Sequence, residues 1–377
     1  MNDSIFQPNY TITPTIEFRL ANIERNSWLI ENLLLMPKHE AWLSREVRVG
    51  RAVGTTRIEG AELDEQAVAR LESQSVNRSG NSDEQDNINA LQAYDFIDYL
   101  SDQRDIPVDE LVIRQLNRHF IATAIPLLTP GAYRKGANAV GEYQPPDQGD
   151  VPEVMRSFAL WLRNDEDEIN PLLKAGIAHL HLVAIHPFWD GNGRTARGLE
   201  TLMLQRTEFG FKKLLNTEIG LFNIKDDYFE AIRRSLGKVF SRDHDFTEWL
   251  EFITAILEGE SSILVKNITD WHRMMEDVRK SGEEVGLIPR QVDGYAFAVR
   301  TGQIIRGQYL EITSVSPVTA SRDLADLVQK GLLTTEGKTR SRVYRPVSLE
   351  DFRKIATQAG QLPLLERREM IIIWQCQ

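Results

Sequence analysis

Between His186 and Arg197 the chain sets a base, a carboxylate, an amide, two glycines and two arginines within twelve residues, ordered His186-Pro187-Phe188-Trp189-Asp190-Gly191-Asn192-Gly193-Arg194-Thr195-Ala196-Arg197. That inventory suits the handling of phosphate. Glycine lets an anion approach the backbone closely, and a helix N-terminus offers it unpaired N–H groups and the positive end of a dipole. Arg194 and Arg197 would share one side of such a first turn, where cations oppose the dipole and call for an anionic partner. Asp190 is a hard oxygen ligand suited to Mg2+ beside phosphates, because that ion takes only one or two protein carboxylates. His186, at the far lip of the loop, has the side chain whose ordinary pKa suits general-base work near neutrality.

Two helices must position these groups. Leu172 to Ile185 is apolar almost all round and free of internal proline, which predicts a buried helix ending near His186. A second helix is expected to start at Asn192 or Gly193, since Arg194, Leu199, Leu202 and Met203 resume helical spacing after the Gly-Asn-Gly break. Taken singly, each residue has a plainer use: Asp190 as a turn residue, Arg197 as a partner of Glu200, His186 as a cation at a helix C-terminus. Their joint order favours the phosphate site.

In that order the segment resembles the signature of the Fic family, His-Pro-Phe-x-Asp/Glu-Gly-Asn-Gly-Arg-x-x-Arg, at every defined position. Weaker likenesses flank it. Pro130-Gly131-Ala132-Tyr133-Arg134 followed by Val140 resembles the family's β-hairpin flap, which implies that Gly136, Ala137, Asn138, Ala139 and Val140 align a target polypeptide. Asp227-Tyr228-Phe229-Glu230-Ala231-Ile232 resembles the helix that meets the adenine, although Tyr228 and Phe229 would equally serve as core packing. Upstream, Thr55-Thr56-Arg57-Ile58-Glu59-Gly60 fits the family's inhibitory pattern Ser/Thr-x-x-x-Glu-Gly/Asn, anchored by Thr55 and Glu59. Arg45 to Ile58 reads as a helix that Gly60 ends, which leaves Glu59 at a C-terminus where its charge opposes the dipole and needs a cationic partner or water.

The resemblance implies a protein adenylyltransferase, a nucleotidyltransferase with ATP as co-substrate and Mg2+ on Asp190. Gly191, Asn192, Gly193, Arg194, Thr195 and Ala196 would cradle the nucleotide, Arg197 its γ-phosphate, and Tyr228 and Phe229 its base. His186 would take the proton from a Ser, Thr or Tyr hydroxyl of a target protein or of the chain itself. AMP would pass to that hydroxyl, pyrophosphate would leave, and Glu59 on Arg197 would restrain the reaction. Phosphate transfer or removal of AMP are alternatives; the phosphotransfer branch of the family has lysine where this chain has Gly193, which argues against the first.

Length and composition agree with an ordinary globular protein: 377 residues, 42% of them apolar, suggest two or three domains. Cys376 is the single cysteine, so no disulfide framework or thiolate zinc site is expected, and a reducing cytoplasm fits. No apolar run approaches the ~20 residues of a membrane span, and no export leader is evident. A net charge of −11 argues against a wholesale polyanion-binding surface. Polar Ser73 to Asn87 predicts a loop, and Ser281 to Gly286 another break; from Phe246 to Lys280, helical spacing predicts one long or two shorter helices.

Beyond that break, Ser316-Pro317 reads as an N-cap with proline at N1, opening a helix to about Lys330 that carries Val318, Leu324, Leu327 and Val328 inward. Leu332 to Thr335 and Ser341 to Arg345 flank Glu336-Gly337-Lys338 as a β-hairpin bearing Lys338, Arg340, Arg342 and Arg345. This resembles a winged helix-turn-helix. From Pro289 to Pro346 nine Lys and Arg face five Asp and Glu, a balance of +4 in an acidic chain. DNA contact through Thr319, Ser321, Arg322 and the wing arginines, or protein docking and homodimerisation, are equal expectations. A DNA-binding regulator with a nucleotide-sensing Fic core is the corresponding alternative function.

His179 and His181 do not chelate with His186, because positions i and i+2 of a helix point roughly 200° apart. The run Met370-Ile371-Ile372-Ile373-Trp374 reads as a packed strand or partner contact. The expected fold is mainly α: an N-terminal helical region with the inhibitory helix (1–75), a Fic core with a β-hairpin flap (76–262), a connecting helix (263–286), a winged helix-turn-helix (287–346) and a tail (347–377).

Overall fold

The computed structural model describes residues 5–33, 35, 37–74, 78–122, 129–164, 168–337 and 342–360. It falls into two compact units, Met1–Val265 and Lys266–Gln377. The expected C-terminal run Met370–Trp374, Cys376 and the wing residues Lys338, Arg340 and Ser341 lie outside the described residues.

The first unit is helical: α1 (Pro14–Asn32), α2 (Pro37–Ile58), α3 (Glu65–Ser73), α4 (Ser82–Asp102), α5 (Glu110–Phe120), α6 (Val151–Leu162), α7 (Pro171–Ile185), α8 (Asn192–Gln205), α9 (Thr217–Asn223), α10 (Lys225–Leu236) and the first part of α11 (Thr247–Glu284). At its centre lies α7. The Asn170 side chain caps it by accepting from the Leu172 N–H at 2.9 Å, Pro171 starts it at N1, and Leu172, Leu173, Ile177, Leu180, Leu182 and Ile185 are fully buried. Each such side chain contributes roughly 1.5–3 kcal/mol on burial. With α8 packed along it, α7 fixes both ends of the loop from His186 to Gly191 against this core.

Two expectations change. Ser82 to Asn87, polar enough to resemble a loop, forms the first turns of α4: Asn81 caps the helix on the Glu84 N–H at 3.0 Å, and buried Asn87 accepts from the Thr56 hydroxyl at 3.0 Å. Asn87 is buried with a fixed partner and Asp83 to Asp86 are only partly exposed, so the polarity of this stretch does not mark a solvent loop. Likewise α11 is a single helix reaching Glu284, and the break shrinks to Val285-Gly286, where Gly286 has φ +68°.

The inhibitory-pattern helix, α2, is anchored from within. Buried Arg51 donates to the carbonyls of Leu215 at 2.7 Å and Lys213 at 2.9 Å, in the lead-in to α9. The C-terminus of α2 closes as a Schellman motif: the Gly60 N–H bonds the Arg57 carbonyl and the Ala61 N–H the Thr56 carbonyl, both at 3.1 Å. Gly60 takes φ +108° to do so, and Glu59 is thereby held at the helix end.

The second unit contains the end of α11, then α12 (Pro289–Thr301), β1 (Ile304–Ile305), α13 (Arg306–Thr313), α14 (Pro317–Gln329), β2 (Leu333–Glu336), β3 (Val343–Pro346) and α15 (Leu349–Gly360). Its antiparallel sheet has the order β1-β3-β2, with Ile304 opposite Tyr344 and Glu336 opposite Val343. Ser316 caps α14 on the Thr319 N–H at 3.2 Å, and Ala320, Asp323, Leu324 and Leu327 face inward. Val318, expected inward, is 80% exposed, because it falls on the side of the first turn opposite Ala320 and Leu324.

Candidate active site

His186 ends α7 in the left-handed region, φ 48° and ψ 55°, a conformation that non-glycine residues adopt only when their surroundings impose it. Arg134 imposes it. This buried guanidinium donates to the His186 carbonyl at 2.9 Å, to the Gly136 carbonyl at 3.1 Å and to the Pro146 carbonyl, while the Arg134 N–H reaches the Pro187 carbonyl at 2.9 Å. The loop is closed from inside by Asn192, whose amide accepts from the Phe188 N–H and donates to the Phe188 carbonyl, each at 2.9 Å. Asn117 from α5 braces it by donating to the Asp190 carbonyl at 2.9 Å and accepting from the Gly131 N–H at 3.0 Å. Gly191, with φ +76°, makes the turn into α8.

On the first turns of α8 the two arginines have different fates. Arg197, 2% exposed, is gripped by α2: Nε donates to the Thr55 hydroxyl at 2.9 Å, and Nη2 to the Thr55 carbonyl at 3.2 Å and to Glu59 Oε1 at 2.6 Å. Its Nη1 also donates to the Tyr228 hydroxyl at 3.4 Å. Glu59 lies directly over Gly193: a Cβ there would stand 2.7 Å from Glu59 Oε1 and 3.2 Å from Arg197 Nη1. A side chain at position 193 would displace this carboxylate from where it sits. Burial works against its charge, yet Arg197, helped by Arg194 and Lys225, holds the Glu59 carboxyl below its ordinary range.

Arg194, also buried, donates from Nη2 to both oxygens of Asp190 at 3.2 Å, while its Nε and Nη1 find no hydrogen-bond partner among the described residues. Asp86 on α4 brings Oδ1 within 3.3 Å of that Nη1 without bonding it. Buried donors left unbonded are costly, and a phosphate oxygen would satisfy them. Thr195 is buried and donates to the Gly191 carbonyl at 2.7 Å, and Ala196 is fully buried in the helix, so both brace the turn.

The His186 ring is pushed down to about 4, first by burial and then by the Arg134 cation; the Val183 carbonyl, Glu59 and Asp190 oppose that shift. It is therefore neutral across the physiological range and free to accept a proton. Arg197 does not pair with Glu200. That carboxylate is bound to His179 Nδ1, and His179 Nε2 meets the Tyr228 hydroxyl at 2.9 Å. Tyr228, expected against the adenine, is accordingly packed away at 1% exposure among His179, Trp249 and Phe252, where it positions Arg197. Phe229 keeps 38% of its surface exposed, with the Lys225 ammonium 5.9 Å from its ring centroid, and it alone of the pair is open to a base.

Gly136 to Val140 do not build a ladder. The Val140 and Tyr143 N–H groups exchange bonds across a tight turn, at 3.0 and 3.1 Å, and no further pair forms. The stretch Lys135-Gly136-Ala137-Asn138-Ala139 has no β-branched or aromatic side chain to pair across strands. Gly136 is tied to the loop through the Arg134 bond to its carbonyl and lies against Trp189, whereas Val140 is 43% exposed. Among the described residues no three His, Cys, Asp or Glu side chains form a metal cage. The donor set fits Mg2+ in the other way that ion binds, with a single protein carboxylate, Asp190, and substrate oxygens completing the shell.

Sequence reasoning missed Asn117, Asp86 and the buried anchor role of Arg134, since each acts across more than fifty residues of chain.

Residues 107–204, which span this loop, match the Fic/DOC family. Over these residues the chain carries a Fic/DOC-family segment. A protein adenylyltransferase Fic of Nematostella vectensis is 34% identical over 131 residues, covering 34% of this chain and 29% of that protein. One from Drosophila mojavensis is 37% identical over 98 residues, covering 26% and 19%. The matched stretch spans less than a third of these curated relatives. A Fic family protein from Desulfovibrio desulfuricans shares the fold with a TM-score of 0.61 at 20% identity, over 91% of this chain and 98% of that one. Fic-1 from C. elegans does so with a TM-score of 0.56 at 20% identity, over 68% and 73%. No described helix is long and apolar enough to cross a membrane.

Proposed function

We propose that the chain is a protein adenylyltransferase that moves AMP from ATP to a hydroxyl side chain of a target protein or of itself. The observation that carries this reading is the Glu59 carboxylate over Gly193 and on Arg197: the N-terminus of α8 already holds an anion, supplied by the chain itself. The relatives named adenylyltransferase match over the same loop.

In the reaction, neutral His186 accepts the proton of the target hydroxyl as its oxygen forms a bond to the α-phosphorus of ATP. The bond from that phosphorus to the bridging oxygen breaks, and pyrophosphate leaves. The arriving phosphates raise the proton affinity of His186 from its low resting value toward the working pH. Arg194 offers Nε and Nη1 to the phosphates, and the first N–H groups of α8 add their dipole. Mg2+, held by Asp190, would supply charge neutralisation. Arg197 orients the γ-phosphate once Glu59 has left it, so the resting chain is autoinhibited. Catalysis by such a site is chiefly positioning and electrostatics.

The test is incubation of the protein and a lysate with ATP labelled at the α- or the γ-phosphate. Covalent label from α alone is expected; label from γ alone would establish phosphate transfer and overturn the proposal. His186→Ala should lose about 10²–10⁴-fold of the transfer rate while still binding ATP.

A further inference from the structure

In the second unit, α13 and α14 are joined by the three residues Ser314, Val315 and Ser316, with Ser314 in the left-handed region at φ 54°. Two helices joined so tightly, followed by the β2–β3 hairpin and preceded by α12 and β1, have the element order of a winged helix-turn-helix. In that arrangement the second helix enters the major groove. What α14 turns outward over its first three turns fits such an entry: Pro317, Val318, Arg322 and Ala325 are exposed, all but the arginine small, with Gln329 exposed at its far end. A helix bearing such a face can approach base edges closely, with Val318 for a thymine methyl group and Arg322 for guanine.

The charges of the unit are partitioned. Asp323 is bound bidentately by Arg290, at 2.6 and 3.2 Å, and by the Tyr309 hydroxyl at 3.1 Å. Asp326 is bound by Lys330 and Gln291, each at 2.7 Å, and Glu336 by Arg345 at 2.8 Å. Arg306 at the start of α13, Arg322 on α14 and Arg342 beside β3 are exposed and enter no ion pair among the described residues. The three uncommitted cations thus fall on the first helix, the second helix and the hairpin, the elements that meet a duplex in this architecture. An obligate, core-like protein interface would present a contiguous apolar patch. The large exposed apolar side chains described in this unit, Ile288, Ile305 and Val318, are scattered over separate elements.

We propose that this unit binds duplex DNA, with the exposed face of α14 in the major groove and Arg306 and Arg342 on the phosphates. The proposal is independent of the chemistry at His186, and His186→Ala should bind duplex as the wild type does. The experiment titrates the full-length chain into a pool of labelled random-sequence duplexes across a salt series and follows fluorescence anisotropy. Binding should tighten as salt falls, and Arg306→Ala and Arg342→Ala should each reduce the slope of log K against log salt by about one. Duplexes selected from the pool by the wild type should share a guanine-containing site, which Arg322→Ala binds about 5- to 150-fold more weakly and with that preference lost. Arg322→Glu should abolish binding, and thermal melting verifies that each variant is folded. Failure of the folded wild type to bind duplex at low salt, or an unchanged slope in the Arg306→Ala, Arg342→Ala double variant, overturns the proposal and leaves this face to a protein partner.

Discussion

The N-terminal turns of α8 and α14 use the same pieces to opposite ends. Both helices begin where glycine or proline sets the backbone, and both carry arginine within the first two turns. On α8 the arginines are buried, and the one most tightly held, Arg197, is bonded by Thr55, Glu59 and Tyr228 before any nucleotide arrives. On α14 Arg322 is exposed and unbonded, while the acids around it are neutralised inside the unit. A buried, pre-paired cation answers to whatever displaces its partner and is little affected by salt; an exposed, unpaired one is screened within about 8–10 Å at ordinary ionic strength. The first arrangement suits regulation by competition, the second binding that salt can tune.

The largest test of that contrast exchanges the partner of Arg197. Glu59→Gly should raise transfer of AMP, including self-modification, on the order of 10²-fold, because the γ-phosphate then reaches the guanidinium and the α-phosphorus is aligned. Adding Arg197→Ala should cancel the gain. Rates of label incorporation from α-labelled ATP in the two single variants and the double variant decide it: an unchanged rate in Glu59→Gly, or a gain that survives loss of Arg197, breaks the lock. Raising salt from low to physiological should weaken the proposed restraint only in part, since Arg197 is 2% exposed while the Glu59 side chain is 38% exposed.

Much of this was legible in the chain because it is local. The uniform apolarity of α7, its Asn170-Pro171 start, the glycine turn into α8 and the Ser316-Pro317 opening of α14 each depend on neighbours within four residues. The Thr55 to Gly60 pattern was readable for the same reason. What the sequence hides is which distant group completes each local one. Nothing near Asn117 says that its amide will brace Asp190, and nothing near Tyr228 separates a base-stacking ring from one whose hydroxyl must satisfy His179 and Arg197. Ser82 to Asn87 failed in the opposite sense: composition suggested solvent, whereas Asn87 is fully buried against Thr56 of α2.

A smaller test concerns Arg194, which stands between the two extremes: buried, yet with donors unspent. Asp86 faces it at 3.3 Å with its side chain 38% exposed, and burial together with the charge of Asp190 pushes the Asp86 carboxyl up against the pull of Arg194. A half-exposed pair of this kind is worth roughly 0.2–1 kcal/mol. In a Glu59→Gly background at saturating Mg2+, Asp86→Asn should therefore lower the KM for ATP by about 1.5- to 5-fold with kcat unchanged, since one anion facing the phosphates is gone. A rise in KM would show instead that Asp86 holds Arg194 in place, and would move Arg194 closer to the fully tethered Arg197.

A further test, on stability rather than catalysis, separates the two units by pH. His181, one turn and a half before His186 on α7, is 2% exposed, stacked on Phe6 with ring centroids 3.8 Å apart, and its Nδ1 lacks a hydrogen-bond partner. Burial, with His244 and Arg242 adding to it, pushes the ring from 6.5 down to about 3. Above pH 6.5 the ring is neutral in the folded and unfolded chain alike, so its contribution does not vary. Below that, the unfolded chain takes the proton first, and stability is lost progressively until the folded ring itself titrates near 3. One proton corresponds to about 1.4 kcal/mol per pH unit, or about 2 kcal/mol between pH 6.5 and 5. His119, His186 and His244, whose values are also lowered, belong to the same unit, whereas Lys266–Gln377 contains only His272. Acid should therefore lower the melting transition of the Fic-domain unit first. His181→Phe keeps the aromatic stack and removes the titration, so it should recover about 4–8 °C of that fall at pH 5 while changing little at pH 7.5. Melting curves of wild type and variant at both pH values measure it; an equal acid shift in the two proteins would place the proton elsewhere in the buried core.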